Sequence, residues 1–361
     1  MITIQNLTFG GTFSYETPNL PPAPEYTLFR INQSSTTQID TAIDWSSIDG
    51  SGQYSGKFAG IKTNGTLWTW GTNSSGELGL GNTTAYNSPK QVGALTTWSK
   101  VSAGEAILAI KTDGTMWRFS TSPVQVGSAT TWSKVSTTYQ HYAAVKTDGT
   151  IWTWGNGEDG RCGLNDTSGG ADPRQITYFP GQSITGNWTN VAAGSQHTLA
   201  INNGYLFAFG YNNLGQLGNG VSGGSGFNKN TPVQIGGLNN WSQLSCGRNA
   251  VSYAVKTDGT MWSWGSNGYH TLLGLNDATN RSSPTQIGSL TNWLSVSGGG
   301  YYAAAIKTNG TMWSWGSNSY GQLGDGTTIR RSSPVQVGGL TAWSAIASRY
   351  QNILAIKTTI Y

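Results

Sequence analysis

One seven-residue phrase, K-T-[DN]-G-T-[LMI]-W, recurs at Lys62 to Trp68, Lys111 to Trp117, Lys146 to Trp152, Lys256 to Trp262 and Lys307 to Trp313, with a degenerate copy from Asn202 to Phe207. A second phrase, [ST]-P-x-Q-[VI]-G, starts at Ser88, Ser122, Thr231, Ser283 and Ser333, with a variant at Asp172. A third begins with tryptophan and a small or polar residue, at Trp45, Trp98, Trp132, Trp188, Trp241, Trp293 and Trp343. The gaps between these seven tryptophans are 53, 34, 56, 53, 52 and 50 residues. A period near 50 residues marks a propeller or a similar array, in which each repeat buries its apolar face only against its neighbours.

Each period reads as four short strands. In the second copy these are Trp98 to Ser102, Ile107 to Lys111, Thr115 to Phe119 and Pro123 to Val126. Asp113-Gly114 supplies the positive φ that a two-residue hairpin needs. Pro123 opens a strand, where no N–H is required. No stretch keeps a 3.6-residue period, so almost no helix is expected.

The ends set the blade count. Seven copies of the leading tryptophan strand and seven of the [LA]-A-[IV] strand are present, but the last copy stops at Tyr361, where its hairpin should turn. The missing half lies at the other terminus. Thr27 to Ile31, then Thr37 to Ile39, then Trp45 matches Thr115 to Phe119, then Val124 to Val126, then Trp132. The expected fold is therefore all-β, a seven-bladed β-propeller of four-stranded blades over residues 26–361. N-terminal strands complete the C-terminal blade and remove the free edges. Residues 1–25 are expected to form an extension or docking arm outside it.

Composition narrows the class. Only 10% of the 361 residues are charged, while Gly contributes 51, Trp 16 and Tyr 16, which suits a packed aromatic fold rather than charged disorder. The net charge is +4 with no basic block, so nucleic acid is not an expected partner. Two cysteines exclude a disulfide scaffold and a multi-cysteine zinc site. No apolar run reaches the roughly 18 residues of a membrane span, so no membrane insertion is expected. The opening MITIQNLTFGG carries no basic leader with an apolar stretch, hence no expected secretory signal.

Four phrases in fixed order carry a family resemblance: G-x-L-G-x-G (Gly76 to Gly81, Gly215 to Gly220, Gly321 to Gly326), then S-P-x-Q-V, then W-S-x-V-x-x-G, then A-I-K-T-D-G-T-x-W-x-W-G. Over roughly residues 26–361 the chain resembles the regulator of chromosome condensation repeat family. The resemblance implies a seven-bladed propeller and a protein-binding face. Its best-known role, nucleotide exchange on a small GTPase while docked on chromatin, implies a basic tail. Residues 1–29 hold no Lys or Arg, so docking through such a tail is not supported.

All 16 tryptophans fall in the repeat phrases, seven leading a strand and nine in the Trp-x-Trp strand, which reads as blade-to-blade packing; sugar- or base-stacking platforms are the other reading. Lys62, Lys111, Lys146, Lys256, Lys307 and Lys357 are repeat-equivalent and read as solvated strand ends or as an anion-attracting rim, partly offset by Asp113, Asp148 and Asp258. Gly155 to Gly160 spells G-x-G-x-x-G, but nothing helical follows, so it has no dipole to hold a pyrophosphate. Cys162 and Cys246 read as buried thiols.

The turn between the first and second strands of each repeat varies while its frame does not, and variable loops on a rigid scaffold are where binding usually lives. The candidate binding residues are Lys57, Glu105, His141, His197, Arg248, Tyr301, Tyr302, Arg349 and Tyr350. The resemblance implies a structural hydrogen-bonding role for a histidine at this place. No catalytic residue, metal ligand or cofactor is expected: the histidine and carboxylate spacings form no metal set, and no nucleophile elbow or phosphate loop is present.

Low charge with abundant Gly, Ser, Thr and Asn is typical of proteins working outside a cell, yet no export signal is read. A phage virion component reconciles the two. The leading expectation is thus a non-enzymatic propeller on a virion surface (tail, fibre or capsid), anchored to virion proteins through residues 1–25 and contacting a partner, host receptor or host glycan. The alternatives are a cytoplasmic protein-interaction propeller, such as an exchange regulator of a small GTPase, and a glycan-binding lectin.

Overall fold

The computed structural model describes residues 24–32, 35–51, 56–138, 141–181, 184, 186–268, 270–349 and 352–359. All of the expected arm but Pro24 and Glu25, and the candidate Tyr350, lie outside them. The described residues form seven four-stranded antiparallel sheets. The first blade runs from its innermost strand outward as Trp45–Ser51, Lys57–Lys62, Leu67–Gly71 and Tyr86–Gln91. The second to sixth blades occupy residues 98–125, 132–175, 188–234, 241–286 and 293–336. The only helical turns among the described residues are two three-residue 3-10 segments, Glu158–Gly160 and Ser225–Phe227.

The seventh blade is built from both ends of the chain. Its order is Trp343–Arg349, Asn352–Thr359, Glu25–Asn32 and Ser35–Gln38. Glu25 faces Thr359 and the register holds without a break to Ile31 against Ile353. The ring closes because each innermost strand touches the innermost strand of the next blade, the seventh touching the first. These seven strands surround the central axis.

Packing follows from the repeat. Each leading tryptophan lies against a small residue of the second strand of its own blade; a Cβ on Gly60 would stand 2.6 Å from the Trp45 ring. In the Trp-x-Trp strand the two rings have separate tasks. The second ring, or its substitute, fills the space between blades: Trp70, Phe119, Trp154, Phe209, Trp264 and Trp315 are all 3% exposed or less, and Ile31 takes the place in the closing blade at 0%. In the second, fourth, fifth, sixth and seventh blades it is capped by a glycine of a loop in the preceding blade. Gly218 (φ 78°) lies so close to Trp264 that a Cβ would come within 2.7 Å of its Nε1. Gly324 (φ 65°) stands likewise over Ile31, at 2.2 Å for a Cβ. These glycines are required both by the left-handed backbone and by close approach.

The innermost strands would leave an unpaired edge around the axis, which is costly wherever water is excluded. A side chain from the preceding blade fills it. Asp49 Oδ2 accepts from the Ala103 N–H at 3.0 Å, and Ser102 Oγ from Thr137 N at 3.1 Å. Ser136 accepts from Ala193 N (3.0 Å), Ser245 from Gly298 N (2.9 Å) and Ser297 from Ser348 N (2.8 Å). One repeat position thus stitches five of the seven blades to their successors; alanine, Ala192 and Ala347, holds it in the fourth and seventh.

Candidate interaction face

The two ends of the propeller differ in composition. One end carries the K-T-[DN]-G-T turns. There the lysines are neither solvated strand ends nor a free cationic rim, which corrects the expectation from sequence. The strand register places each lysine opposite the leading tryptophan of its own blade, as in Lys307 with Trp293. Except at Lys357, whose blade carries Phe29 in place of the Trp-x-Trp strand, the ammonium then lies between that ring and the first ring of the Trp-x-Trp strand. Lys307 Nζ is 4.8 Å from the Trp293 centroid and 3.7 Å from that of Trp313. The same clamp holds Lys62, Lys111, Lys146 and Lys256. Burial lowers the Lys256 and Lys307 pKa values. Cation–π attraction of this kind is worth about 0.5–2 kcal/mol.

The neighbouring aspartates do not pair with these lysines among the described residues. Asp113 Oδ1 accepts from the Thr115 hydroxyl (2.6 Å) and N–H (2.9 Å), and Thr115 Oγ1 accepts from Trp117 Nε1 (2.9 Å). Asp148 and Asp258 repeat the arrangement. The turn sequence therefore encodes one polar chain that orients the ring lying over the lysine.

The opposite end carries the inner turns, between the innermost and second strands, and the G-x-L-G-x-G loops. Four of the candidate binding residues open the second strand and reach sideways into the next blade. Lys57 is 4% exposed; its ammonium donates to the Glu105 carbonyl and lies 3.5 Å from the Glu77 carboxylate. Tyr302, 1% exposed, donates its hydroxyl to the Asn352 carbonyl.

His141 and His197 are 0% and 1% exposed. His141 Nε2 meets Thr198 Oγ1 at 2.8 Å, and His197 Nε2 meets Ser252 Oγ at 2.9 Å. The Thr198 hydroxyl donates to the Arg161 carbonyl and that of Ser252 to the Gln216 carbonyl, at 2.9 and 2.7 Å. Each hydroxyl has spent its proton, so each histidine donates from Nε2 and is neutral. Burial pushes both imidazoles down to about 3, with the Arg161 charge adding to the effect at His141. Neither ring is open to a ligand. The Thr or Ser in the second strand of the following blade was the sequence signal for this tie, one repeat away from the histidine it serves.

The other candidates lie further out. Glu105 is exposed, and Arg248 and Tyr301 are half-buried. Tyr301 packs against His270, a residue outside the inner turns, with ring centroids 4.4 Å apart. Burial, with the nearby Arg330 charge, lowers the His270 pKa. Arg349 ends the innermost strand of the closing blade. The cysteines are buried free thiols, and burial raises Cys162 to about 11. Among the described residues no three His, Cys, Asp or Glu side chains gather as metal ligands, and no helix is long and apolar enough to cross a membrane.

The sequence profile of the regulator of chromosome condensation (RCC1) repeat matches residues 64–110, 148–201, 203–252, 258–306 and 309–355, and a second profile of the same description matches 132–161 and 293–322. The chain belongs to the RCC1 repeat family. Among curated proteins it is similar to the E3 ubiquitin-protein ligase HERC2 of Mus musculus, 31% identical over 193 residues, which are 52% of this chain and 4% of that protein. It is also 30% identical over 192 residues to the ultraviolet-B receptor UVR8 of Arabidopsis thaliana, covering 52% of this chain and 41% of the receptor. It thus spans less than half of these relatives. Among solved structures, Prp20p of Saccharomyces cerevisiae superposes with a TM-score of 0.77 at 15% identity, over 94% of this chain and 93% of that one. Human WBSCR16 superposes with a TM-score of 0.78 at 17% identity, over 93% and 99%. These two likenesses establish the shared RCC1-type propeller fold.

Proposed function

We propose that this chain is a non-enzymatic protein-interaction propeller that receives its partner on the end bearing the inner turns. One observation carries the reading. At that end a rigid frame of inter-blade ties holds a set of side chains that differ from blade to blade: Glu105 on the second blade, Arg248 on the fifth, Tyr301 on the sixth. A surface that breaks the repeat's own symmetry on a frame that keeps it suits recognition of one asymmetric partner. The titratable groups of the frame are engaged in structure: His141 and His197 are neutral donors, and the clamped lysines face indole rings. This supports contact rather than acid–base chemistry.

The known proteins favour this reading over the virion one. The Prp20p structure was described with its binding to Gsp1p and histones, and another shows Kap60 bound to Prp20. Exchange on a small GTPase is the narrower form of the proposal; virion attachment and glycan binding are the competing forms, and a cytoplasmic location goes with the first.

The test is affinity capture with the full chain and three variants, Glu105→Arg, Arg248→Glu and Tyr301→Ala, alongside Leu238→Ser at the opposite end. A protein partner lost with the three and kept by Leu238→Ser supports the proposal. A partner kept by all three and lost with Leu238→Ser overturns the assignment of the face. Saturable hits on a glycan array, or turnover of a substrate, would overturn the class. An assay of nucleotide release from a small GTPase decides the narrower form.

A further inference from the structure

We propose that the axial wall between the second and third blades binds one anionic group, a carboxylate or a phosphate, held by Lys100 and Lys134. Both lysines sit two positions after the leading tryptophan of their innermost strand. Each lies just past the bulge that follows that tryptophan: Lys100 faces Ile110 and Lys134 faces Val145 in the register. The two innermost strands touch around the axis, so the side chains stand at one height on adjoining strands. The same position holds Ser47, Asn190, Gln243, Ser295 and Ala345 in the other blades, none of them charged. At this height of the wall, positive charge is confined to one pair.

This pair is unlike the cations described above. Arg161, Arg174, Arg281, Arg331, Lys57 and Lys62 make ion pairs with carboxylates. The repeat lysines are clamped by indoles. Lys100 and Lys134 have neither a carboxylate nor an aromatic ring against them among the described residues. Both are exposed, so solvent and small ions reach them. The surrounding ring of strands nonetheless desolvates Lys134, and with the Lys100 charge it lowers the Lys134 pKa. Asp49, on the neighbouring first blade, is turned to the Ala103 N–H and the Ser102 hydroxyl. Two ammonium groups that disfavour one another in a partly desolvated wall are both stabilised by a single anion between them. Asn190 follows at the same height and donates to the Ser242 carbonyl, extending the polar wall past the pair.

The probes are inorganic phosphate, acetate, and a short neutral peptide with a free or an amidated C-terminus. Binding is followed through the lysine side-chain resonances of the full chain after isotopic dimethylation. The expected result is saturable one-to-one binding that shifts Lys100 and Lys134 together. Either Lys100→Gln or Lys134→Gln should weaken it at least tenfold, with an unchanged unfolding midpoint, and Lys90→Gln should leave it intact. Stronger phosphate binding assigns the group to phosphate; binding of the free but not the amidated peptide assigns it to a carboxylate terminus. Shifts that do not saturate, or that survive both substitutions, overturn the proposal.

Discussion

Phe29, near one end of the chain, meets Trp343, near the other, edge to face with ring centroids 5.4 Å apart. In the other blades the equivalent contact joins two strands close in sequence, as Trp98 with Trp117. Here it joins the N-terminal strand to the last innermost strand, so the ring's integrity depends on residues that no local hairpin holds together. Leu28→Ala empties a fully buried site between the seventh and first blades and should cost about 3 kcal/mol in urea unfolding. Gly324→Ala should cost at least as much, because the new methyl strikes Ile31 and the φ of 65° is also disfavoured. Gly326→Ala, with a similar φ but open space, is the control for the backbone term.

The lysine clamps predict a result that separates charge from packing. Lys307→Met keeps an apolar stem between Trp293 and Trp313 and removes the ammonium; it should destabilise by about 1 kcal/mol. Lys307→Ala should cost more, since it also opens the clamp. If Lys307→Met proves neutral or stabilising by thermal unfolding, the clamp is packing alone.

Histidine burial makes stability depend on pH in a defined window. The native imidazoles of His141 and His197 resist protonation until about pH 3, while an unfolded histidine takes up a proton near 6.5. Between those values the unfolded chain binds more protons, so stability falls as the pH drops through 6.5 towards 3 and is fully present above 6.5. Urea midpoints at pH 7, 6, 5 and 4 should show the decline. The double variant His141→Gln, His197→Gln should be less stable at pH 7 and lose most of the slope above pH 4, below which the lowered aspartates Asp277 and Asp325 add their own loss.

Architecture was legible in the sequence because it is periodic. The spacing of the seven tryptophans, the Asp-Gly and Asn-Gly turns and the match of Thr27 to Ile31 with Thr115 to Phe119 define blades, hairpins and closure without any tertiary information. Ties between blades were not legible, because their partners lie one whole repeat apart. Lys57, His141, His197 and Tyr302 vary as binding residues do, yet each is committed to the next blade: His141 and His197 to a Thr or Ser hydroxyl, Lys57 and Tyr302 to a backbone carbonyl. The lysine clamp was missed for a related reason. The lysine, its turn and the first indole are contiguous, but the leading tryptophan that completes the clamp comes some 17 residues earlier in the first copy, Trp45 against Lys62.

The stitching of the innermost edge gives a further test. Ser297→Ala removes the acceptor for the Ser348 N–H and should cost about 1 kcal/mol. The loss should appear as faster amide exchange at Ser348 and at its neighbours on the same edge. Unchanged exchange there would mean that water replaces the serine without cost.

Closure of the ring by the two ends is tested most directly by amide hydrogen exchange over Ile353 to Thr358, in the full chain and in a chain beginning at residue 33. With the N-terminal strand paired as in Leu28 to Ile356, these amides should be protected as strongly as those of Ala303 to Lys307 in the sixth blade, and the alternate amides that donate to that strand should lose protection when it is removed. Equal exchange in the two chains, or free exchange in both, would contradict the closed platform.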